Sequence, residues 1–379
     1  MFDYVLCGGG LQNALIALLL RERQPQAAIA LVERDAQLGG NHTWSFHDSD
    51  VPPSCRAAIA PLVEHRWSGY TVVFPNRERE LELPYATVTS PRLNEVVGAA
   101  LQKAPGCLLQ LGATIDAVTA DEVRLADGSV LRGRVVIDAR GPVVDDGPRP
   151  RCGFLKFLGL DVQLAAPAAA QTPTRPILMD ATVPQRDGFR FFYVLPLRPD
   201  CLLIEDNYYS DSRDFDPAAL RREVLAYAKS KGWPVAKVLR EESGILPLPF
   251  SAGAAPELGG PLCAGYKGGW FHPATSYSFP IALRLADYVA TVPPDQLFGP
   301  GLAKLVREHR RQSAFCHRLN WLLFRGSPVA GRWRIMSGFY THNEQTLSRF
   351  YALSLTAADR SRILRTGAGV FVSSWLRGA

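Results

Sequence analysis

Glu205 and Asp206 stand side by side after the apolar run Cys201–Ile204 and before Tyr208 and Tyr209. A carboxyl group held in apolar surroundings keeps its proton near neutrality, so such a residue can act as a general acid. On a strand the two side chains point to opposite faces, and at most one of them faces a substrate. Glu205 is the expected acid/base residue, with Asp206 shaping the site or its charge. The plain alternative is a surface pair at a strand end. Five aromatic residues, Trp44, Tyr208, Tyr209, Trp270 and Phe271, could turn ring faces toward a cationic centre, each contributing about 0.5–2 kcal/mol. Packing in the core is the ordinary fate of any one of them. His272, just before Pro273, reads equally as a group orienting a ligand or as a structural hydrogen-bonding residue.

The elements that would position these residues begin at the N-terminus. Phe2 to Cys7 reads as a buried strand, Leu11 to Arg23 as a helix and Ala28 to Glu33 as a second strand, a βαβ unit in about thirty residues. Between strand and helix lies Gly8-Gly9-Gly10-Leu11-Gln12-Asn13. Gly8 permits the tight turn, and Gly10 lets the backbone approach a pyrophosphate lying on the N-terminal end of the helix that starts at Leu11. Asn13 stands where the usual fingerprint has its third glycine, and Ala14 is expected to supply the close helix–strand contact. Glu33, 25 residues beyond Gly8, suits the ribose hydroxyls of an adenosine.

Two further segments select FAD rather than NAD alone. Val135-Val136-Ile137-Asp138-Ala139-Arg140-Gly141 resembles the strand and loop that return to the nucleotide in FAD oxidoreductases, which makes Asp138 and Gly141 candidate contacts. Leu262 to Gly269 runs through Phe271-His272-Pro273 to Ser278, and a helix from Phe279 to Val289 follows. This resembles the second FAD segment, with Gly268, Gly269 and His272 near the flavin end. Tyr266 replaces the Asp usual after the first glycine, so contacts there should run through backbone amides.

The pieces together resemble the bacterial lycopene β-cyclases. The resemblance rests on Gly8–Leu11, Asn41-His42-Thr43-Trp44-Ser45-Phe46, Ile137–Gly141, Leu178-Met179-Asp180-Ala181-Thr182-Val183, Ile204-Glu205-Asp206-Asn207-Tyr208-Tyr209, the Gly268 to Pro280 segment and Asn320-Trp321-Leu322-Leu323-Phe324-Arg325, in family order along nearly the whole chain. Asn207 departs from the family's Glu-Asp-Thr. The resemblance implies closure of both ends of lycopene to give β-carotene, with reduced FAD, NADPH or NADH as reductant and no net oxidation. Proton delivery to a terminal alkene forms a tertiary cation, the ring closes, and a neighbouring proton leaves. Water must be excluded, or the cation is captured as an alcohol. An electron-rich flavin near the cation would account for a redox cofactor in a reaction without redox change. No second dinucleotide fingerprint is seen.

The bulk properties agree. At 379 residues, 47% hydrophobic and 21% charged, the chain has room for about two or three globular domains. Its seven scattered cysteines show no metal or disulfide spacing and read as reduced, in the cytoplasm. Ala14 to Leu20 lacks the flanks of a signal peptide, and no stretch has the length of a spanning helix. Residues 301–340 hold eight Lys/Arg and one acid, a local +7 against +6 for the whole chain. With Phe315, Trp321, Phe324, Trp333 and Tyr340 among them, this segment suits a membrane surface, where a water-insoluble polyene must be collected. A solvated helical face is the bland alternative. Nucleic acid is disfavoured, since no binding motif accompanies the charge.

The expected architecture is α/β. A discontinuous FAD-binding Rossmann-like domain of the GR2 type comprises residues 1–70, 105–150 and 255–295, a β-sheet substrate domain 71–104 and 151–254, and a helical, possible membrane-facing C-terminal region 296–379. Further strands are expected over Val72 to Leu83, Leu109 to Ile137 and Phe189 to Tyr209, a helix over Pro217 to Lys231 and a surface loop over Ala165 to Pro176. Two rivals stand beside the cyclase. One is an FAD-dependent monooxygenase of an isoprenoid or aromatic substrate, although Asp138-Ala139-Arg140-Gly141-Pro142 lacks the Asp-Gly pattern usual there. The other is a non-catalytic lipid carrier on the same fold.

Overall fold

A computed structural model describes residues 1–141, 151–165, 172–253 and 259–375. The strand Phe2–Cys7 lies at the centre of a seven-stranded sheet, with Ile29–Val32 and Leu108–Gln110 on one side and Val130–Asp138 on the other. These four run parallel, and the central ones are buried runs, as a sheet covered on both faces requires. Val130–Asp138 pairs at its start with the antiparallel strand Glu122–Leu125 and at its end with Leu262–Cys263, where the chain returns after the long insertion. Gly8, Asp138–Gly141 and Ala264–Gly269 therefore meet at one end of the sheet, beyond the carboxyl ends of its strands, where open α/β sheets bind ligands.

The helix Leu11–Arg23 is buried continuously from Leu11 to Leu20. Such a helix must be covered on all sides. The sheet covers one side, and the helices Phe279–Thr291 and Ser90–Gln102 pack on others. Each leucine so enclosed contributes about 1.5–3 kcal/mol.

The second large sheet has the order Val235–Pro249, Cys152–Leu164, Cys201–Ser210, Phe189–Arg198, Ile177–Asp180, Tyr70–Phe74, Arg77–Leu81. The alternation over Val72 to Leu83 resolves into a hairpin turning at Pro75-Asn76. From residues 71–104, Tyr70–Phe74 and Arg77–Leu81 join this sheet. Tyr85–Thr89 instead pairs with Thr43–His47 and His65–Trp67, and Ser90–Gln102 packs on Leu11–Arg23. The difference is one of burial: Tyr85–Thr89 is buried along its whole length and needs cover on both faces. The helix Pro217–Ser230 covers one face of the large sheet through Val224, Tyr227 and Ala228. Of the expected loop Ala165 to Pro176, residues 166–171 lie outside the described residues. Pro300–Arg325, Arg332–Phe339, Glu344–Tyr351 and Ala357–Trp375 make the C-terminal part helical.

Candidate active site

A cavity opens between the second sheet and the loop that precedes the helix Phe279–Thr291. Glu205, Asn207 and Tyr209 line it from one strand, and Thr275, Ser276 and Tyr277 from the loop. Period-2 alternation explains the first set. The side chains of Glu205, Asn207 and Tyr209 share one face of Cys201–Ser210, and Asp206 and Tyr208 share the other. Leu155, Phe157, Phe191 and Leu246 make much of the wall apolar. Trp44, Tyr85, Tyr193 and Tyr351 add aromatic faces.

Glu205 has an acidic neighbour that sequence reasoning did not single out. Its carboxyl hydrogen-bonds to Glu242, which also lines the cavity and is 2% exposed. Burial, then the nearby Glu242 charge, pushes the Glu205 carboxyl well above its ordinary range, toward its protonated form. Burial also raises Glu242, against the pull of Arg240. One oxygen of Glu242 accepts hydrogen bonds from Arg240 at 2.8 Å and from the Thr43 hydroxyl at 2.9 Å. Arg240 bonds Asp161 at 2.7 Å in turn. Asn207 donates to the Glu205 side chain and, at 3.3 Å, to its backbone carbonyl.

Asp206 lies in a different setting. It is fully enclosed on the far face, where the Arg190 guanidinium gives it two hydrogen bonds, 2.9 and 2.7 Å long, and the Tyr208 hydroxyl a third. Asp206 and Tyr208 are thus absent from the cavity lining. So are Trp270 and Phe271. Trp270 stacks on His309 at 4.7 Å and Phe271 on Tyr266 at 4.4 Å, so both serve packing beside the loop. Trp44 and Tyr209 are the expected aromatic residues that reach the cavity. Its other tyrosines, scattered from residue 85 to residue 351, carry no local motif and are collected only by the fold.

At the sheet end the glycine loop has the shape of a cradle. Gly8 takes a φ of +89°, and a side chain there would press on the backbone of Ala139 at 3.1 Å. Among the described residues, a side-chain carbon at Gly10, Gly141 or Gly269 would meet nothing within 4 Å, leaving open space at the helix N-terminus and around it. Gly268 instead fills a packing role, since a side chain there would strike the Cys263 carbonyl at 2.1 Å. Glu33, directly after the strand Ile29–Val32, has one carboxylate oxygen on the Gly9 amide at 2.5 Å and the other on the Asp35 amide at 3.0 Å. Asn13, in place of the third glycine, donates to the Cys7 and Gly8 carbonyls at 2.9 and 2.8 Å and braces the turn. Buried polar atoms without a partner in this structure include Gln12 Oε1, Asn13 Oδ1 and, on the cavity wall, Ser276 Oγ. Open space and unused polar atoms both fit a dinucleotide.

Asp138 and His272 serve as braces. The Asp138 carboxylate is buried and ion-paired with Arg140 at 2.9 Å and Lys267 at 2.7 Å, which joins the two loops beside the cradle. The His272 ring is fully buried between the Phe350 carbonyl at 2.9 Å and the Ala274 amide at 3.2 Å. Burial lowers its pKa to about 3 and keeps it neutral. Among the described residues, no group of His, Cys, Asp and Glu could hold a metal ion.

The basic segment sorts by helical phase. On Pro300–Arg325, Lys304, Arg307, Arg311, Arg318, Trp321 and Arg325 recur at spacings of three, four and seven residues and are all exposed. Phe315, Phe324 and Tyr340 are buried, and so is Arg332, which pairs with Asp211 at 2.7 Å. Of the expected mixture of basic and aromatic surface there remain a basic face with Trp321 and the half-buried Trp333, with Arg334 over its ring. No described helix is long and apolar enough to cross a membrane.

Comparison with known proteins bears on this geometry. Residues 3–377 match the family model described as lycopene cyclase protein. The chain is 43% identical to a lycopene beta-cyclase of Pseudescherichia vulneris, over 96% of its own length and 93% of the relative's. It is 41% identical to one of Pantoea ananas, over 96% and 94%. Among solved structures it resembles a geranylgeranyl bacteriochlorophyll reductase-like protein of Thermoplasma acidophilum, at a TM-score of 0.64 and 12% identity, covering 97% and 96% of the two chains. A probable FAD-dependent monooxygenase of Pseudomonas aeruginosa gives a TM-score of 0.56 at 18% identity, covering 98% and 99%. At such identities these two show a shared fold.

Proposed function

Since the chain belongs to the lycopene cyclase family, we propose that it is a lycopene β-cyclase, an enzyme of the isomerase or intramolecular lyase type that closes both ψ-ends of lycopene into β-rings, giving β-carotene by way of γ-carotene. The observation that carries this reading is the Glu205 carboxyl, set beside Glu242 in a largely apolar cavity next to the loop Thr275–Tyr277, where burial favours its protonated form.

The Glu205 O–H breaks and a new C–H bond forms at the terminal double bond of the polyene. The tertiary cation so formed is attacked by a neighbouring double bond, closing the six-membered ring. A proton then leaves the adjacent carbon, so each ring consumes and returns one proton and no electrons. Leu155, Phe157, Phe191 and Leu246 exclude water, which would capture the cation. The ring faces of Trp44, Tyr85, Tyr193, Tyr209 and Tyr351 stabilise it, each by about 0.5–2 kcal/mol.

FAD is the cofactor that the glycine cradle and Glu33 would hold, through the open space at Gly10 and Gly141. In its reduced form it supplies an electron-rich ring system that disperses positive charge. NADPH or NADH is the expected reductant. The enzyme works peripherally on the cytoplasmic face of a membrane, where the basic face of Pro300–Arg325 meets anionic headgroups and Trp321 enters the interface.

The test is incubation with lycopene, FAD and NADPH, with and without oxygen, followed by reversed-phase chromatography. Equal β-carotene in both arms is expected. An oxygen-containing product, or an absolute need for oxygen, points instead to a monooxygenase, and no product at all to a carrier. Flotation with anionic liposomes tests the surface: binding that weakens as salt rises is expected, and salt-insensitive or absent binding contradicts the charge argument.

A further inference from the structure

We infer that Glu205 and Glu242 share a single proton above Gly159, and that Glu242 is the positioning residue that keeps Glu205 in its acid form. The inference deepens the proposed acid role of Glu205 and rests on it.

Strand order brings the two acids together. Cys152–Leu164 lies between Cys201–Ser210 and Val235–Pro249, and Gly159 is the register partner of Glu205 on one side and of Glu242 on the other. A side-chain carbon at Gly159 would stand 3.1 Å from Glu242 Cγ and 3.3 Å from Glu205 Oε2. Any larger residue would enter the space in which the carboxyls meet. Glycine here keeps that space free.

The surrounding charges divide the roles. Arg240 and Thr43 both bond to one Glu242 oxygen, which favours the carboxylate form of Glu242. Among the described residues no cation is bonded to Glu205, and its side-chain partners are Glu242 and Asn207. The groups facing the pair from the packed elements are Arg240 on the same strand as Glu242, Asp161 on the central strand, Tyr193 on the third, and His42 beside Thr43. With Glu205 protonated, Asp161, Arg240 and Glu242 sum to one negative charge. With both glutamates ionised the sum is two, in a dry pocket. Loss of the Glu205 proton is disfavoured until a cation arises nearby, and that cation then faces both carboxylates.

The proton can be followed by infrared titration of the purified flavin-loaded protein. A carboxylic-acid C=O band persisting at pH 7 and absent from Glu205→Gln is expected. In Glu242→Gln the neighbouring charge is gone, so the Glu205 titration midpoint and the alkaline limb of ring formation should fall together, by about one pH unit or more. Arg240 keeps Asp161 as its partner in that variant. Gly159→Ala changes no charge and should move both in the same direction by separating the carboxyls, and it carries the test if Glu242→Gln does not hold flavin. A wild-type protein with no such band at pH 7, or a midpoint that stays put in the variants, overturns the shared proton. If the band and the shift are present but lycopene yields no ring, the shared proton stands and the cyclase reading falls.

Discussion

Glu205 and Asp206 are adjacent in sequence and both shielded, yet the two faces of their strand make different things of a carboxyl group. On the cavity face, Glu205 meets another carboxyl and an amide. On the far face, Asp206 meets a guanidinium and a hydroxyl. Burial pushes both upward. At Glu205 the neighbouring charge adds to that push, whereas at Asp206 Arg190 opposes it. Burial by itself does not make an acid catalyst. The partner's charge decides whether the group holds a proton or anchors an ion pair.

The largest expected effect is on chemistry. Glu205→Gln should lower the rate of ring formation by about a hundredfold to ten-thousandfold, the usual contribution of a positioned acid. Bound flavin, read from its visible absorbance, should be unchanged. Near-normal turnover in that variant would remove Glu205 from the mechanism.

On the far face the main loss should be stability. Asp206→Asn leaves the Arg190 guanidinium buried with Glu223 as its remaining carboxylate, 2.9 Å away. Breaking a buried pair in this way costs about 3–5 kcal/mol, and the partial rescue by Glu223 sets the lower end. A lowered Tm with near-normal activity in the folded fraction is expected. A stable but inactive protein would mean that the far face takes part in the chemistry.

The pH dependence of stability should carry opposite signs at Glu205 and at Asp180. A carboxyl raised in the folded state, as Glu205 is, contributes stability at low pH, and the contribution is lost as pH rises from its ordinary value of 4.5 through the raised one. Glu205→Gln should therefore gain on the wild type in Tm toward alkaline pH. Asp180, on the side of Pro217–Ser230, is lowered from 3.8: burial works against this, but Lys231, Thr182 and Tyr227 outweigh it. Its contribution is complete above 3.8 and disappears as pH falls further. Asp180→Asn should flatten the acid limb of a Tm–pH curve, since a tenfold change in proton affinity between folded and unfolded chains is worth about 1.4 kcal/mol. Parallel curves for variant and wild type would contradict the assignment in either case.

How far these faces are legible in the sequence depends on the distance over which a constraint acts. The turn at Gly8, the helix from Leu11 and the acid at Glu33 are local, because steric freedom at glycine and the period of a strand leave marks within a few residues. The opposite orientation of Glu205 and Asp206 is equally local. Glu242 is another matter. It reaches Glu205 only because two strands far apart in the chain flank Cys152–Leu164. Alternation shows which residues share a face, but it does not choose neighbours. The acids Glu241 and Glu242 are plain in the sequence, whereas the carboxyl that Glu242 meets is set by the sheet order alone. Trp270 and Phe271 mislead for a related reason: proximity to the flavin-type loop in sequence suggests the cavity, while the local turn points both rings into packing contacts. In the basic segment, composition reveals the charge, but helical phase places most of the aromatic residues inside.

The smallest expected effect concerns Asn207, which stands where the family pattern carries threonine. Its amide donates to the Glu205 side chain and so favours the charged form, opposing Glu242. Asn207→Thr shortens that side chain, and the opposition should weaken. Glu205 would then hold its proton slightly more firmly, and the alkaline limb of ring formation should move up by roughly a few tenths of a pH unit, the scale of one modest hydrogen bond. The rate at neutral pH should change by less than about threefold, since one hydrogen bond is the only interaction altered. This shift is opposite in sign to the one expected for Glu242→Gln. Movement of both variants in the same direction would mean that general disturbance of the cavity sets the limb, rather than the balance of partners around Glu205.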